Sequence, residues 1–298
     1  MILVIGEILI DRFPEYERIG GAPFNFAFHL KQMGWPVRLI TRIGDDVPGR
    51  RIQQLLEQYA FDLQDLQIDP HHPTGRVDVA LDAQGVPQFD IRRDVAYDHL
   101  DLTTLSSGDL RMARMIYFGT LAQRTPGAFD QYRTCLSKKN TDTLGFCDIN
   151  FRPPHLNEAA ISASLHNADI LKLNTEELER IAAFGGGPDK TERQLRWLSA
   201  SFSIPMIALT MGGDGSRIVT PHDEVVGTPH SGIEIVDTVG AGDGYAAVLA
   251  SGVLDGWPLA VTLERATEFA AMICTLPGAV PQDSRLYQNL LRQRGKKV

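Results

Sequence analysis

Short apolar runs recur along the chain at residues 2–5, 37–43, 115–118, 143–149, 170–173 and 206–210. Each is continuous instead of alternating, as strands buried on both faces are, and helical patterns lie between them. This alternation predicts an α/β sandwich with a mainly parallel sheet. Three helices are legible individually. Residues 22–33 carry Pro23 in the first turn, where a missing N–H costs nothing, keep apolar side chains mostly on one side and stop at Gly34; residues 175–183 and 192–201 give two more.

One segment breaks the rhythm. Between Thr74 and Arg93, apolar Val77, Val79 and Leu81 alternate with polar Arg76, Asp78 and Asp82, and after a turn around Gln84 and Gly85 the alternation resumes at Phe89 and Ile91. A one-sided antiparallel hairpin inside a parallel protein is either surface decoration or a lid, and lids commonly close over α/β active sites. There is no internal repeat, low-complexity tract or Pro/Ser-rich linker, and residues 185–187 with Pro188 read as a loop.

The 298 residues can bury a sizeable core and are expected to form a single domain. With 29 Lys plus Arg against 37 Asp plus Glu, a net charge of −8, they disfavour a nucleic-acid groove and suit a soluble cytoplasmic protein. Cys135, Cys147 and Cys274 are odd in number and widely spaced, which argues against a disulfide framework or a cysteine zinc site and for a reducing compartment. The opening MILVIGEILID reads as a first buried strand instead of a signal peptide, and no run reaches the roughly 20 apolar residues of a membrane span.

The stretch with most chemical content is DTVGAGDGY, Asp237 to Tyr245, between an apolar strand-like run and an apolar helix-like run. Gly240, Gly242 and Gly244 do not fit G-x-G-x-x-G, too little chain follows for a dinucleotide domain, and no Walker P-loop occurs anywhere. Backbone N–H groups of Gly240, Ala241, Gly242 and Asp243 at a helix start can instead cradle a phosphoryl group in transfer. A carboxylate there would repel that anion unless it served the incoming alcohol, so Asp243 is either the base that takes the hydroxyl proton or a simple helix cap.

DTVGAGDGY resembles the C-terminal signature of the PfkB (ribokinase-like) carbohydrate kinases, and GGAPFNFAFHL, Gly20 to Leu30, resembles their N-terminal one. The resemblance spans essentially the whole chain, and GEILID, GGAPFN and DINFRPP are most similar to the fructokinase-like branch. It implies a ribokinase-like three-layer α/β/α sandwich with a small β lid, formed mainly by about residues 12–20 and 74–97.

Several residue roles follow from the resemblance. Asp11 would bind sugar hydroxyls, which a carboxylate can do for two vicinal groups at once, although a strand-end turn Asp looks the same. Gly20 and Gly21 would form the lid hinge and Asn25 would bind the sugar. Arg93, or its neighbour Arg92, would reach in from the lid, and Thr120 at the end of YFGT would touch substrate. Arg152 of DINFR would neutralise phosphate oxygens or else join a surface ion pair. Asn174 and Glu177 match the family's N-x-x-E, the Glu orienting Mg²⁺ through its waters. Thr210, Gly212 and Gly215 of TMGGDGS would lie with Gly242 along ATP, though a hairpin turn needs similar residues. K⁺ would be held by carbonyls near Asp237, Val239 and Gly278, but FAAMICTLPGAVP is shorter than the commoner family pattern there.

The expectation is an ATP- and Mg²⁺-dependent kinase, with K⁺ as a candidate second cation, acting on a primary hydroxyl of a free sugar, fructose first. Ribose, 2-keto-3-deoxygluconate or nucleoside kinases are the rivals in class, and a non-catalytic sugar-binding regulator is the rival outside it. Nucleic acid and membrane partners are not expected. A homodimer through the lid is, because the alternating hairpin leaves an apolar face to cover.

Overall fold

In the computed structural model, residues 1–81, 87–153, 156–228, 232–281 and 283–294 are described. In chain order the strands are β1 (Ile2–Ile5), β2 (Leu9–Arg12), β3 (Glu17–Gly20), β4 (Val37–Gly44), β5 (Leu66–Asp69), β6 (Gly75–Leu81) and β7 (Pro87–Ile91). They continue with β8 (Met115–Gly119), β9 (Leu144–Asp148), β10 (Ile170–Asn174), β11 (Met206–Thr210), β12 (Ser216–Val219) and β13 (Glu224–Gly227). The helices are α1 (Ala22–Gln32), α2 (Val47–Gln58), α3 (Ser107–Met112), α4 (Pro126–Leu136), α5 (Glu158–His166), α6 (Thr175–Gly185), α7 (Thr191–Phe202), α8 (Ala241–Asp255), α9 (Leu259–Cys274) and α10 (Gln288–Arg294).

The main sheet has nine strands in the order β13-β12-β11-β10-β9-β8-β1-β4-β5. It is parallel from β5 to β11, and only the β12 and β13 edge runs antiparallel. Strand pleating sends alternate residues to opposite faces, so Ile2 and Val4 pack in one cluster with α1, α2, α8 and α9, while Leu3 and Ile5 pack in another with α3 to α7. Both faces are thereby covered, which is why these strands read as unbroken apolar runs. The architecture is the expected three-layer α/β/α sandwich. The six expected strands and three expected helices are present, with ends shifted by a residue or two.

A second sheet of four strands, in the order β3-β2-β6-β7, stands apart from the first. Its two hairpins, β2–β3 and β6–β7, are antiparallel, and they join through a parallel β2–β6 pair in which Asp11 lies opposite Val77. MILVIGEILID is therefore two strands and not one. It breaks at Gly6 and Glu7, leaving β1 in the main sheet and β2 in the small one, and Asp11 belongs to β2. Ile8, Leu9 and Ile10 stay buried across the break, so apolarity alone carried no sign of the change of sheet.

The β6–β7 hairpin is antiparallel as expected. Its turn around Gln84 and Gly85, and Asp82, lie outside the described residues. Val77, Val79 and Ile91 are buried against Leu9, Val95 and Tyr97 of the same chain, and Phe89 is left 55% exposed. The apolar face thus finds most of its cover within one chain, so the reason given for a dimer applies to Phe89 and not to the whole hairpin. Among the described residues, no helix is long and apolar enough to cross a membrane.

Candidate active site

A cavity of about 560 Å³ opens at the carboxyl ends of the parallel strands, between the main sheet and the small one. This is where open α/β sheets bind ligands, because loops and helix N-termini converge there. Its floor is the start of α8. Gly240, the N-cap, has φ 81°, and a Cβ there would come within 2.2 Å of Ala279, so both backbone angle and space demand glycine. The N–H groups of the first turn have no partner within the helix and face the positive end of its dipole. Gly240, Gly242 and Asp243 line the cavity, whereas the Ala241 N–H turns back to the Thr238 carbonyl at 3.3 Å. Of the expected amide cradle, Ala241 is thus the member turned aside.

Asp243 is buried in the first turn of α8, and its Oδ2 accepts a hydrogen bond from Asn25 Nδ2 at 2.7 Å. Asn25 sits on α1, which begins directly after the Gly20-Gly21 pair. Its place differs from a plain sugar ligand: one end of the amide orients Asp243, and the other, Oδ1, is buried without a hydrogen-bond partner among the described residues.

Beside this floor lies a residue that the sequence reading did not single out. Lys172 of β10 is buried, lines the cavity and donates from Nζ to Asp148 Oδ1 at 3.1 Å. A side chain at Gly242 would bring a Cβ to 3.1 Å from that Nζ, so the glycine lets the ammonium lie against the start of α8. Burial by itself would lower the Lys172 pKa, but Asp148, Glu177 and Asp243 outweigh it and hold the group above its ordinary value. Burial raises Asp148, with Asp243 and Glu177 adding to it and Lys172 opposing. The sequence signal was a lone Lys in the apolar run ILKLN.

The opposite end is rich in groups that recognise hydroxyls. Asp11 of β2 lines it, and burial raises its pKa to about 6, with Arg152 pulling down and Asp243 pushing up. Glu7, in the break between β1 and β2, is buried with Oε2 unpartnered among the described residues, and burial pushes its carboxyl up to about 7. Asn150 lines the same wall with a buried Nδ2 that lacks a partner among the described residues. Glu7 and Asn150 were also missed, although a Glu inside IGEILI is as anomalous as the Lys in ILKLN. Apolar Leu9, Val77, Phe89 and Ile91 of the small sheet close this end. Gly21, at φ 112° and with the Glu7 carbonyl 2.7 Å from where a Cβ would stand, lies between β3 and α1, where the hinge is expected. At Gly20 a Cβ would lie 2.4 Å from Asp11 Oδ2.

The other expected residues distribute unevenly. Arg152, Asn174, Thr210 and Val239 line the cavity. Gly212 and Gly215 form the turn between antiparallel β11 and β12, beyond the cavity wall. Thr120 donates to the Ile149 carbonyl at 2.7 Å and ties two strand ends together without reaching the cavity. Arg93 is exposed and outside the lining, and Arg92 faces Asp78 at 3.5 Å. Glu177 is buried in a reciprocal cap of α6: Oε2 accepts from Asn174 N and Oε1 from Phe151 N, each at 2.8 Å. The carboxylate therefore joins the DINFR loop to α6.

Asp237 is similarly engaged. Its Oδ1 accepts from Val239 N at 3.0 Å, and its Oδ2 from Gly278 N at 3.0 Å and Arg18 Nη1 at 2.9 Å. Arg18 belongs to β3, so a guanidinium from the small sheet occupies the carboxylate expected beside K⁺. This pairing engages the side chain alone, whereas the K⁺ ligands expected near Asp237, Val239 and Gly278 are backbone carbonyls.

A family profile described as pfkB family carbohydrate kinase matches residues 2–285. A fructokinase of Escherichia coli is 27% identical over 263 residues, covering 85% of this chain and 84% of that protein. Among solved structures, a fructokinase of Xylella fastidiosa with bound ATP superposes with a TM-score of 0.86 at 19% identity, covering 99% of each chain. A fructokinase of Vibrio cholerae O395 with fructose, ADP and calcium bound gives 0.79 at 23% identity, covering 97% of this chain and 98% of that one.

Proposed function

The chain belongs to the pfkB family of carbohydrate kinases, and from that premise we propose that it transfers the γ-phosphoryl group of ATP to a primary hydroxyl of a free sugar, fructose to fructose 6-phosphate. The observation that carries this reading is Asp243, held by Asn25 at 2.7 Å at the start of α8, within a cavity whose far wall presents carboxyl and amide groups. The acceptor hydroxyl lies against Asp243. Its oxygen bonds to the γ-phosphorus, its proton passes to Asp243, and the bond to the bridging oxygen breaks with the electron pair leaving on ADP.

Lys172 and the first-turn amides of α8 meet the charge that moves over the phosphoryl oxygens, a fixed arrangement that needs no reorganisation during the step. Asp11, Asn25 and Glu7 receive the sugar hydroxyls. That set, with Arg152 as its basic member, suits an uncharged polyol better than a phosphorylated sugar. Mg²⁺ entering with ATP would supply neutralisation of phosphate charge. Glu177, with about half of its roughly four lone-pair sites used by backbone N–H groups, fits a role toward the waters of that ion and not direct ligation.

The small sheet acts as the lid, its Val77, Phe89 and Ile91 excluding water so that ATP is not hydrolysed. A lid-mediated homodimer would rest on the exposed Phe89 and Tyr16, and sedimentation reports it.

The test is ADP release with ATP, Mg²⁺ and a panel of sugars and nucleosides. Fructose is expected to give the highest kcat/KM. A higher value for another sugar removes fructose but leaves the kinase chemistry, and no acceptor-dependent ADP across the panel removes both and leaves a sugar-binding regulator.

A further inference from the structure

Away from the cavity, at the root of the β6–β7 hairpin, His72, Asp94 and His99 place one ligand atom each within 4.8 Å of one another. They are the one such group of histidine, cysteine or carboxylate side chains found among the described residues. His99 Nε2 lies 2.9 Å and His72 Nε2 3.7 Å from the same oxygen, Asp94 Oδ1. The two imidazoles stack with centroids 3.6 Å apart and planes 15° from parallel.

The inner side of the cluster is built as metal sites are. His72 Nδ1 is 3.0 Å from Asp69 Oδ2, and Asp69 has no exposed side-chain surface. That carboxylate also accepts from the backbone N–H groups of His71 and His72 at 2.8 and 3.0 Å and forms an ion pair with Arg42, Nε to Oδ2 at 2.9 Å. Surrounded by these donors, the carboxylate serves as an acceptor, so His72 Nδ1 carries the hydrogen and Nε2 is left with its lone pair toward Asp94. A carboxylate behind a histidine in this way fixes the tautomer and raises the basicity of the outer nitrogen.

We propose that His72, Asp94 and His99 form a binding site for a divalent transition-metal ion of the imidazole-preferring kind, represented by Zn²⁺, with water as a fourth ligand. Two nitrogens and one oxygen suit Zn²⁺ and its neighbours and not Mg²⁺ or Ca²⁺, which take oxygen. Bonds of roughly 2.0–2.2 Å set tetrahedral ligand atoms roughly 3.3–3.6 Å apart, so His99 Nε2 and Asp94 Oδ1 must open from 2.9 Å while His72 Nε2 closes slightly from 3.7 Å. Side chains with 28%, 77% and 40% of their surface exposed have room to do so.

The ion would replace the hydrogen shared by His99 and Asp94. It would join the segment leading into β6 to the segment leaving β7, which already touch through Ala96 N and the Pro73 carbonyl at 2.8 Å. Through Asp69, at the end of β5, the main sheet is joined as well. The site thus clips the root of the small sheet.

The test is calorimetric titration of the chelator-treated full chain with Zn²⁺, without nucleotide or Mg²⁺. One equivalent per chain is expected with a dissociation constant below about 10 µM. His72→Ala and His99→Ala should each weaken it at least about tenfold, while His71→Ala, which alters a neighbouring histidine outside the cluster, should not. Amide exchange at residues 72, 74 and 94–99 should slow on Zn²⁺ addition in the wild type and stay unchanged in the double His72→Ala, His99→Ala variant. Equal binding by that double variant, or no binding by the wild type, overturns the proposal, whatever the sugar assay returns.

Discussion

At the phosphoryl end of the cavity the chain itself holds each polar side chain, Asp243 by Asn25 at 2.7 Å and Lys172 by Asp148 at 3.1 Å. At the acceptor end Glu7 and Asn150 keep buried polar atoms without a partner among the described residues, and the cover comes from a separate small sheet. A buried polar group without a partner costs free energy, so a fold retains several together where a ligand supplies the missing hydrogen bonds. The contrast teaches a division of labour: the end that moves the phosphoryl group is preorganised by the core, and the end that selects the sugar is completed by the sugar.

The strongest way to break this comparison is at Asp243. Asp243→Asn keeps the shape and a contact to Asn25 but cannot take a proton. Turnover is expected to fall about 10²- to 10⁴-fold, with the thermal midpoint and ATP affinity little changed, as kinetics, scanning calorimetry and nucleotide titration report. Activity within a fewfold of wild type would reduce Asp243 to a helix cap.

Lys172 comes next, because it belongs to both fold and chemistry. Lys172→Met leaves Asp148 buried without its cation, a loss on the order of 3–5 kcal/mol of stability. Adding Asp148→Asn removes the stranded charge and should restore most of that stability, as denaturant unfolding measures. Turnover should remain about 10²-fold down in the double variant, since the positive charge beside Gly242 is still missing. Recovery of turnover along with stability would make Lys172 only a partner for Asp148.

The same contrast explains what could be read in the sequence. The layers and the α8 floor were legible because their physics is local: continuous apolar runs mean doubly covered strands, and glycines beside an acid at a helix start leave few alternatives. Asp243 and Gly240 lie where that reasoning put them. Lys172 and Glu7 carried a visible signal, a charge inside an apolar run, but its partner was far along the chain: Asp148 for Lys172, and for Glu7 a ligand. The expected lid arginine and the strand-end Thr120 were least legible. Arg93 points outward and Thr120 serves a backbone carbonyl, because strand register and loop path, which no short pattern specifies, decide which side chain faces the cavity.

A smaller effect sharpens the acceptor end. Glu7 has its pKa raised by burial from 4.5 to about 7, so the fold prefers its protonated form. The stability linked to it is fully present below pH 4.5, declines as the unfolded chain ionises, and is gone once pH passes about 7. Asp11, raised to about 6, contributes with the same sign. Glu7→Gln deletes the Glu7 part alone. Relative to wild type the variant should gain stability between pH 5 and pH 8, by up to about 3 kcal/mol, in denaturant unfolding without sugar. A difference that stays flat across that range would mean that Glu7 is ionised in the folded protein, and the wall facing the sugar would then be anionic.

The smallest expected effect tests where the two ends meet. Arg18 of the small sheet pairs with Asp237 at 2.9 Å and stacks on Tyr16 with its guanidinium 4.6 Å from the ring centre. The Asp237 carboxylate also holds Val239 N, one residue before Gly240. Among the described residues, one partly exposed ion pair joins lid and phosphoryl floor, a contact of about 1 kcal/mol that salt screens. Arg18→Ala should raise the sugar KM about fivefold or less and leave kcat within about twofold, and high salt should move wild type toward the variant. Arg18→Lys should recover part of the loss. A kcat that falls with KM unchanged would place Arg18 with the phosphoryl machinery, and the line between a core that does chemistry and a lid that selects would then run through β3 instead of along its edge.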